Sequence, residues 1–277
     1  MPTINTNVAA IKARSSLDKV QRELDTSIAR LSSGKRITRA HDDAAGQAIA
    51  GRMESQVRGL TMNVRHAKDG QAMVDTAEGA LQEVAAVLQR MRELSVQAAS
   101  GVAANADRDY LQLEVVQILK EIERVSDATK FNETRLLTGA SFSFYTDIDI
   151  AGTAITTATV STGIASIGLA STTISIGAGT TGVASMAVMV GLIDAAIGSI
   201  ASYRANLGAV SNRFDHVIDN LTNVIANTEA AQSRVEDADF AVETTQLTRN
   251  TILQQAATSM VAQANASKNT ILALVQG

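Results

Sequence analysis

Cysteine and tryptophan are absent from this 277-residue chain, proline occurs once, at Pro2, and aromatic residues make up only 3%. Without cysteine there is no disulfide framework, no thiolate metal site and no thiol nucleophile. With no proline beyond position 2, no helix is forced to break. The shortage of aromatics leaves Ala, Val, Ile, Leu and Met to do the packing, which favours close helix seams over a bulky globular core. The three histidines, His41, His66 and His216, show none of the HxxxH or HExxH spacings that hold zinc. A net charge of −4 with both signs interspersed is not the basic footprint of a nucleic-acid partner. The N-terminus "MPTINTNVAAIKARSSLDKV" lacks the basic and apolar regions of a Sec-type signal peptide. The apolar runs read as too short and too mixed to cross a bilayer, so composition alone points to a soluble, cytoplasmic chain with no membrane partner.

What is present is helical periodicity. Met73, Ala77, Ala80, Val84, Val87, Met91, Leu94 and Ala98 alternate four and three apart without a slip. Leu111, Val115, Ile118, Ile122 and Val125 repeat the pattern after a break at "SGVAANADRD". Val210, Phe214, Val217, Leu221, Val224, Thr228, Ala231, Val235 and Ala238 extend it downstream. A sustained 3.5-residue repeat keeps one seam turned toward one partner, which predicts an antiparallel coiled-coil bundle of long helices. Methionines in such stripes are packing residues far more often than ligands.

Between Arg135 and Asp194 the only charges are Asp147 and Asp149, and the remainder is Thr, Ser, Gly, Ala and Ile. β-Branched residues separated by small ones predict a small β-rich central segment. Its apolar residues, Ile148, Ile150, Ile155, Val160, Ile164, Ile167, Ile174 and Ile176, are more than a disordered linker carries. The fold class is therefore mainly α, with a Thr/Ser/Gly-rich middle. The stretch 152–182 is expected to be replaceable by a short turn without touching the helices.

Both ends of the chain carry a terminal stripe, an interruption and then a longer helix. At the N-terminal end the stripe is Val8, Ile11, Leu17, Leu24, Ile28 and Leu31, Gly34 stops the helix, and Asp42 or Asp43 can cap the next. At the C-terminal end the stripe from Val210 slips by one residue near "SRVEDADF", where Ser233 and Glu236 have capping-box spacing. A new stripe then runs through Leu253, Ala257, Met260, Ala264, Ser267, Ile271 and Leu274. The symmetry predicts that the two ends pair with each other.

Catalytic chemistry is not legible. "SSGKR" lacks the upstream Gly and following hydroxyl of a phosphate loop, "GAGTTG" is no dinucleotide fingerprint, and no Ser sits in a GxSxG elbow. No active site and no cofactor or metal site is expected.

The blocks "LSSGKRITRAHDDAAGQAIAGRM", "LQRMRELSVQAASG", "EIERVSDATKFNETRLL" and "SRVEDADFAVETTQLTRNTILQQAATSMVAQAN" strongly resemble bacterial flagellin. They come in that family's order and cover roughly the first 140 and last 85 residues. The middle matches nothing and is short, so this resembles a flagellin without large outer domains. His41 stands where the family usually has Lys, and "LALVQG" lacks the basic last residue of many members. The resemblance implies a filament subunit, exported unfolded through the flagellar type III channel and added beneath a cap at the distal tip. That overrides the cytoplasmic reading and places the chain outside the cell, in the flagellum. A hook-filament junction protein is the nearest alternative. A cytoplasmic chemotaxis coiled coil is disfavoured by the long Thr/Ser/Ile middle.

In domain terms the resemblance implies terminal helices, 1–33 and 240–277, forming an inner tube. Connections at 34–43 and 233–239 lead to a rod domain of long helices, 44–139 and 184–232, with a variable surface segment at 140–183. The subunit-packing residues would be Leu17, Leu24, Ile28, Leu31, Val217, Leu221, Leu253, Met260, Ile271 and Leu274. The implied partners are further copies in a helical homopolymer, an export chaperone, the filament cap and hook-junction proteins. The block at 89–97, with Glu114, is similar to the flagellin patch read by Toll-like receptor 5, through Gln89, Arg90, Glu93, Leu94 and Glu114. Since an isolated terminal helix is marginal in water, the ends are expected to be disordered until assembly.

Overall fold

The computed structural model describes residues 6–139, 141–145, 154–158, 176–177 and 183–276. Five helices dominate the described residues: α1 (Val8–Ser33), α2 (Ala44–Ala98), α3 (Asn105–Ala128), α4 (Val183–Glu236) and α5 (Phe240–Gln276). Between α3 and α4 lie the strands β1 (Lys130–Phe131), β2 (Thr134–Arg135), β3 (Ser141–Tyr145) and β4 (Ala154–Ala158). The protein is mainly α. It divides into two compact units, Met1–Val57 with Ala226–Gly277, and Arg58–Ile225, and α2 and α4 run through both.

Part of the core of the Arg58–Ile225 unit is built from the stripes read in the sequence, and part, including Leu81, Leu88, Ile193, Ile200 and Leu207, lies outside them. Met73, Ala77, Val84, Met91, Leu94 and Ala98 of α2 are buried with Val115, Ile118 and Ile122 of α3 and Ile193, Ile200, Leu207 and Phe214 of α4. Each buried Leu, Ile, Met or Phe contributes about 1.5–3 kcal/mol over leaving it in water. Polar contacts at the rim set the register. Gln71 donates to Asp215 at 2.8 Å, Arg204 pairs with Glu78 at 2.6 Å and Arg92 with Asp194 at 2.6 Å. Positions rising along α2 meet positions falling along α4, so the two helices are antiparallel, in line with the expected fold class. Exposed pairs of this kind contribute little stability; their effect is on alignment.

After α3 the chain makes a two-residue hairpin. Asn132 and Glu133 have φ of 46° and 66°, the left-handed pair that such a turn requires, and β1 pairs antiparallel with β2. Leu136 and Leu137 then enter the core. The charge-poor middle begins with an antiparallel hairpin, β3 with β4, in which Phe144 faces Ile155. Phe144 meets Phe214 edge-to-face, ring centroids 5.6 Å apart. The rings pass over Gly70, where a Cβ would lie 2.7 Å from Phe214 Cζ and 3.2 Å from Phe144 Cδ1.

Ile155 and Ile176 are both core residues, and the Ile176 amide donates to Gln112 Oε1 at 2.6 Å. The expectation that 152–182 could be replaced without touching the helices is therefore corrected: at least β4 and Ile176 belong to the packed unit. Ile148, Ile150, Val160, Ile164, Ile167 and Ile174 lie outside the described residues. The expectation of no apolar run long enough for a bilayer also needs correction. Helix α4 contains such a stretch by length and composition. Within it Met186, Met189, Ile193, Ala196 and Ile200 are buried in the core, and the other residues of the stretch are half-buried or exposed.

In the other unit α1 and α5 form an antiparallel pair. Asn7 donates to the Ala264 carbonyl at 3.0 Å, Gln254 to Gln21 at 2.5 Å, and Arg30 pairs with Glu243 at 3.0 Å. Gly34 ends α1 in the left-handed region, φ 71°, with its amide on the Arg30 carbonyl, a conformation that favours Gly. The next residues tie to the α4–α5 connection: Arg36 N–H donates to the Glu236 carbonyl at 2.6 Å, and Ala238 N–H to the Gly34 carbonyl at 3.0 Å. Lys35 reaches Glu236 at 2.5 Å, and that hydrogen bond holds its ammonium pKa above the ordinary value against slight desolvation. Asp43 caps α2 by accepting from the Gly46 amide at 2.8 Å. Ser233, expected to cap a helix, lies inside α4 instead; Asp239 caps α5, accepting from the Ala241 amide at 2.9 Å. The capping-box spacing misled because α4 continues through it to Glu236.

Gly70→Ala should lower the unfolding stability of the monomer by about 1–3 kcal/mol, because two rings must move. Gly79→Ala, with nothing within 4 Å of the added carbon, should raise it by about 0.5–1 kcal/mol. Urea unfolding of both variants checks the pair of signs; a destabilised Gly79→Ala beside a neutral Gly70→Ala would refute the aromatic-seat account.

Candidate subunit-packing and receptor surfaces

The α1–α5 seam covers one face of each helix. On α1 the covered positions are Ala13, Leu17, Val20, Leu24, Ser27 and Leu31, and on α5 they are Glu243, Leu247, Asn250, Gln254, Ala257, Val261 and Ala264. Both sets alternate three and four apart, as a coiled-coil seam requires. The α5 half of this seam is unusually polar. Glu243 and Asn250 are buried, and Glu243 Oε2 and Arg30 Nε find no hydrogen-bond partner. Each such buried atom costs about 1–3 kcal/mol, and with Glu243 and Asn250 inside, the seam is less apolar than the core of the other unit.

Among the polar residues that the pairing leaves outside stand several apolar ones. Val8, Ile11 and Ile28 on α1, and Ile252, Leu253 and Met260 on α5, are exposed. Of the residues expected to pack subunits, Leu17, Leu24 and Leu31 sit in the intrachain seam, whereas Ile28, Leu253 and Met260 face water. Of the stripe through Leu253 and Met260, Ala257 and Ala264 meet α1, whereas at the other positions the seam lies one residue away, at Gln254 and Val261. Sequence reading chose the more apolar of two adjacent stripes, and the intrachain seam took the more polar one. Phe240, Val242 and Ile252 are further exposed apolar residues that the stripe did not include. Val217 and Leu221 belong to α4 in the other unit, Leu221 buried and Val217 packed against the core. Ile271 and Leu274 lie on the backbone of α5, but their side chains are outside the described residues.

The second surface lies where α2 meets α3. Arg90 Nε donates to Glu114 Oε1 at 2.9 Å and its Nη1 to Glu93 Oε2 at 3.2 Å. The hydrogen bond to Glu114, then that to Glu93, raises the guanidinium pKa further, so the charge is permanent. Gln89, Arg90, Glu93 and Glu114 are all exposed and form one polar patch. Leu94 does not join it: its side chain is 1% exposed and lies in the core. Val96, Val102, Tyr110 and Leu113 are exposed on the same helices and their connection; scattered through a broken repeat, they gave no pattern to read.

A third cluster lies in the α1–α2 connection. Asp42 accepts from the amides of Thr38 and Arg39 and from the Thr38 hydroxyl at 3.0–3.1 Å, and His41 approaches its other oxygen at 3.1 Å. Desolvation pushes the Asp42 carboxyl up, but these donors outweigh it and hold its pKa below the ordinary value. Among the described residues no group of three or more His, Asp and Glu side chains is arranged to hold a metal ion.

The N-terminal helical region of bacterial flagellin matches residues 4–141, and its C-terminal helical region residues 190–275. The chain is 36% identical to a flagellin of Halalkalibacterium halodurans, 37% identical to flagellin FlaB2 of Treponema pallidum, and 36% identical to the flagellar filament 33 kDa core protein of Treponema phagedenis. Each alignment covers 99% of both chains, leaving no room for a large outer domain.

Because Arg90 and Glu114 are exposed, Arg90→Ala and Glu114→Ala should leave unfolding stability almost unchanged. Leu94→Ala should cost about 2–5 kcal/mol, as an emptied core position does. Thermal unfolding of the three variants decides; a Leu94→Ala protein as stable as the parent would take Leu94 out of the core.

Proposed function

The chain belongs to the bacterial flagellin family, whose members are structural subunits of the extracellular flagellar filament, and we propose that it is exported unfolded and self-assembles through the outer faces of α1 and α5. The observation that carries the proposal is the uncovered set Val8, Ile11, Ile28, Ile252, Leu253 and Met260. These side chains gain from burial only if further copies cover them. In this reading 1–33 and 240–277 form the filament's inner tube, with 34–43 and 233–239 as connections. Residues 44–139 and 184–232 form a rod domain, and 140–183 a variable segment anchored on it through Ile155 and Ile176. Ile271 and Leu274 would extend the packing face. An export chaperone would shield that face before secretion, and the filament cap and hook-junction proteins would meet it at the two ends of the polymer.

Polar, imperfectly satisfied packing between α1 and α5 supports ordering of the ends on assembly. Limited proteolysis should trim the monomer to a core of about residues 40–235, because a less apolar seam opens more readily, and should leave filaments intact. Equal resistance in both states would count against ordering on assembly. Val217→Asp places a charge against the apolar core and should abolish filaments and motility; motile filaments from that variant would mean that α4 packs by another face.

A second reading rests on the exposed Arg90–Glu114–Glu93 patch. We propose that it is the surface Toll-like receptor 5 would read, with Gln89 alongside and Leu94 shaping it from within. Arg90→Ala should weaken receptor activation at least about tenfold, in the range of an interface anchor, with folding unaffected. Receptor-bearing cells that respond equally to parent and variant would remove Arg90 from the proposal.

A further inference from the structure

Met260 is 63% exposed, on the face of α5 that α1 leaves open, beside Ile252 and Leu253. Methionines elsewhere in the described residues are placed differently: Met73, Met91, Met186 and Met189 are buried, Met53 is half-buried, and Met62 is exposed but has its sulfur 3.9 Å from Arg65 Nη1. Thioether oxidation requires access, so the buried sulfurs are shielded. Met260 alone among these combines an open thioether with a place in the uncovered apolar set.

We propose that Met260 is an oxidation site whose sulfoxide blocks addition of the subunit to a polymer, and that assembly in turn protects it. The co-reactant is a peroxide. The thioether sulfur attacks one peroxide oxygen, the O–O bond breaks, an S=O bond forms, and the second oxygen leaves as water or alcohol after taking up protons. Sulfur loses two electrons and the peroxide gains them. The product replaces a flexible apolar side chain by a polar one, on a face that a neighbouring copy must dry. A polar group left there without a partner opposes burial. The inference rests on the filament reading, since the second copy is what covers Met260.

The test treats purified full-length monomer and preformed filaments with hydrogen peroxide and follows the 250–268 tryptic peptide, in which Met260 is the one methionine, by mass. Monomer should gain one oxygen on this peptide, and filaments should gain it far more slowly. Seeded polymerisation of oxidised monomer should need about tenfold more protein, the effect of one unpaired polar group at a buried contact. Met260→Leu monomer, whatever its own untreated rate, should lose no polymerisation on treatment, whereas Met62→Leu should give no protection. Full conversion of Met260 without loss of polymerisation would overturn the inference, as would equal loss in Met260→Leu. Oxidation of filaments at the monomer's rate would show that the face stays open. An untreated chain that never polymerises would instead overturn the filament reading, and this inference with it.

Discussion

Each helix of this chain has one apolar face and can bury it only against another helix. With almost no aromatic bulk, the faces must approach closely and run in register over many turns. In the Arg58–Ile225 unit, α2, α3 and α4 supply each other's missing surface, and Leu81, Leu88, Met91, Leu94, Ile122 and Phe214 are fully enclosed. The terminal pair has two helices and more apolar surface than two helices can hide. Its shared seam takes the Leu17, Leu24 and Leu31 face of α1 but the more polar face of α5, with Glu243 and Asn250 inside, and Leu253 and Met260 of α5 stay outside. That division between a self-sufficient unit and an unsatisfied one separates folding from association.

Polar contacts do different work in the two units. Along α2 and α4 the pairs Arg204–Glu78 and Arg92–Asp194 are half in water and act as alignment marks on a seam that apolar burial already holds. Between α1 and α5, Arg30 and Glu243 are part of the seam itself, with one polar atom on each lacking a partner. A buried pair of that kind is poor at stabilising and good at specifying, because a slipped register would strand both charges.

Much of this was legible in the residues. The 4-3 stripes found the covered faces of α2 and α3, though they named Ala80 and Val87 where the neighbouring Leu81 and Leu88 are enclosed, and Gly34 marked the end of α1, because those features depend on neighbours within a few turns. Where several answers were locally equal, reading failed. Two stripes run side by side on α5, and only the partner helix chooses between them. The capping-box spacing at Ser233 suggested a helix start, and the continuity of α4 overruled it. The hairpin at Asn132–Glu133 carries no Gly, so its positive φ values left no sequence sign. Ile155 and Ile176 looked like parts of a replaceable surface segment because their core partners lie far away in the chain. Leu94 could be read either as seam or as receptor contact, and burial assigns its side chain to the seam.

The contacts that close the terminal pair join residues 257, 233 and 213 positions apart in the chain. No shorter stretch of sequence contains both halves of the seam. For a chain that emerges one end first, the helix that leaves first must wait for the helix that leaves last, whichever end leads. Closure over such a span is entropically slow, so the middle can be finished while the ends still search. The seam is in effect a completeness check: a chain interrupted between α4 and its final helix would carry a folded middle and a bare α1.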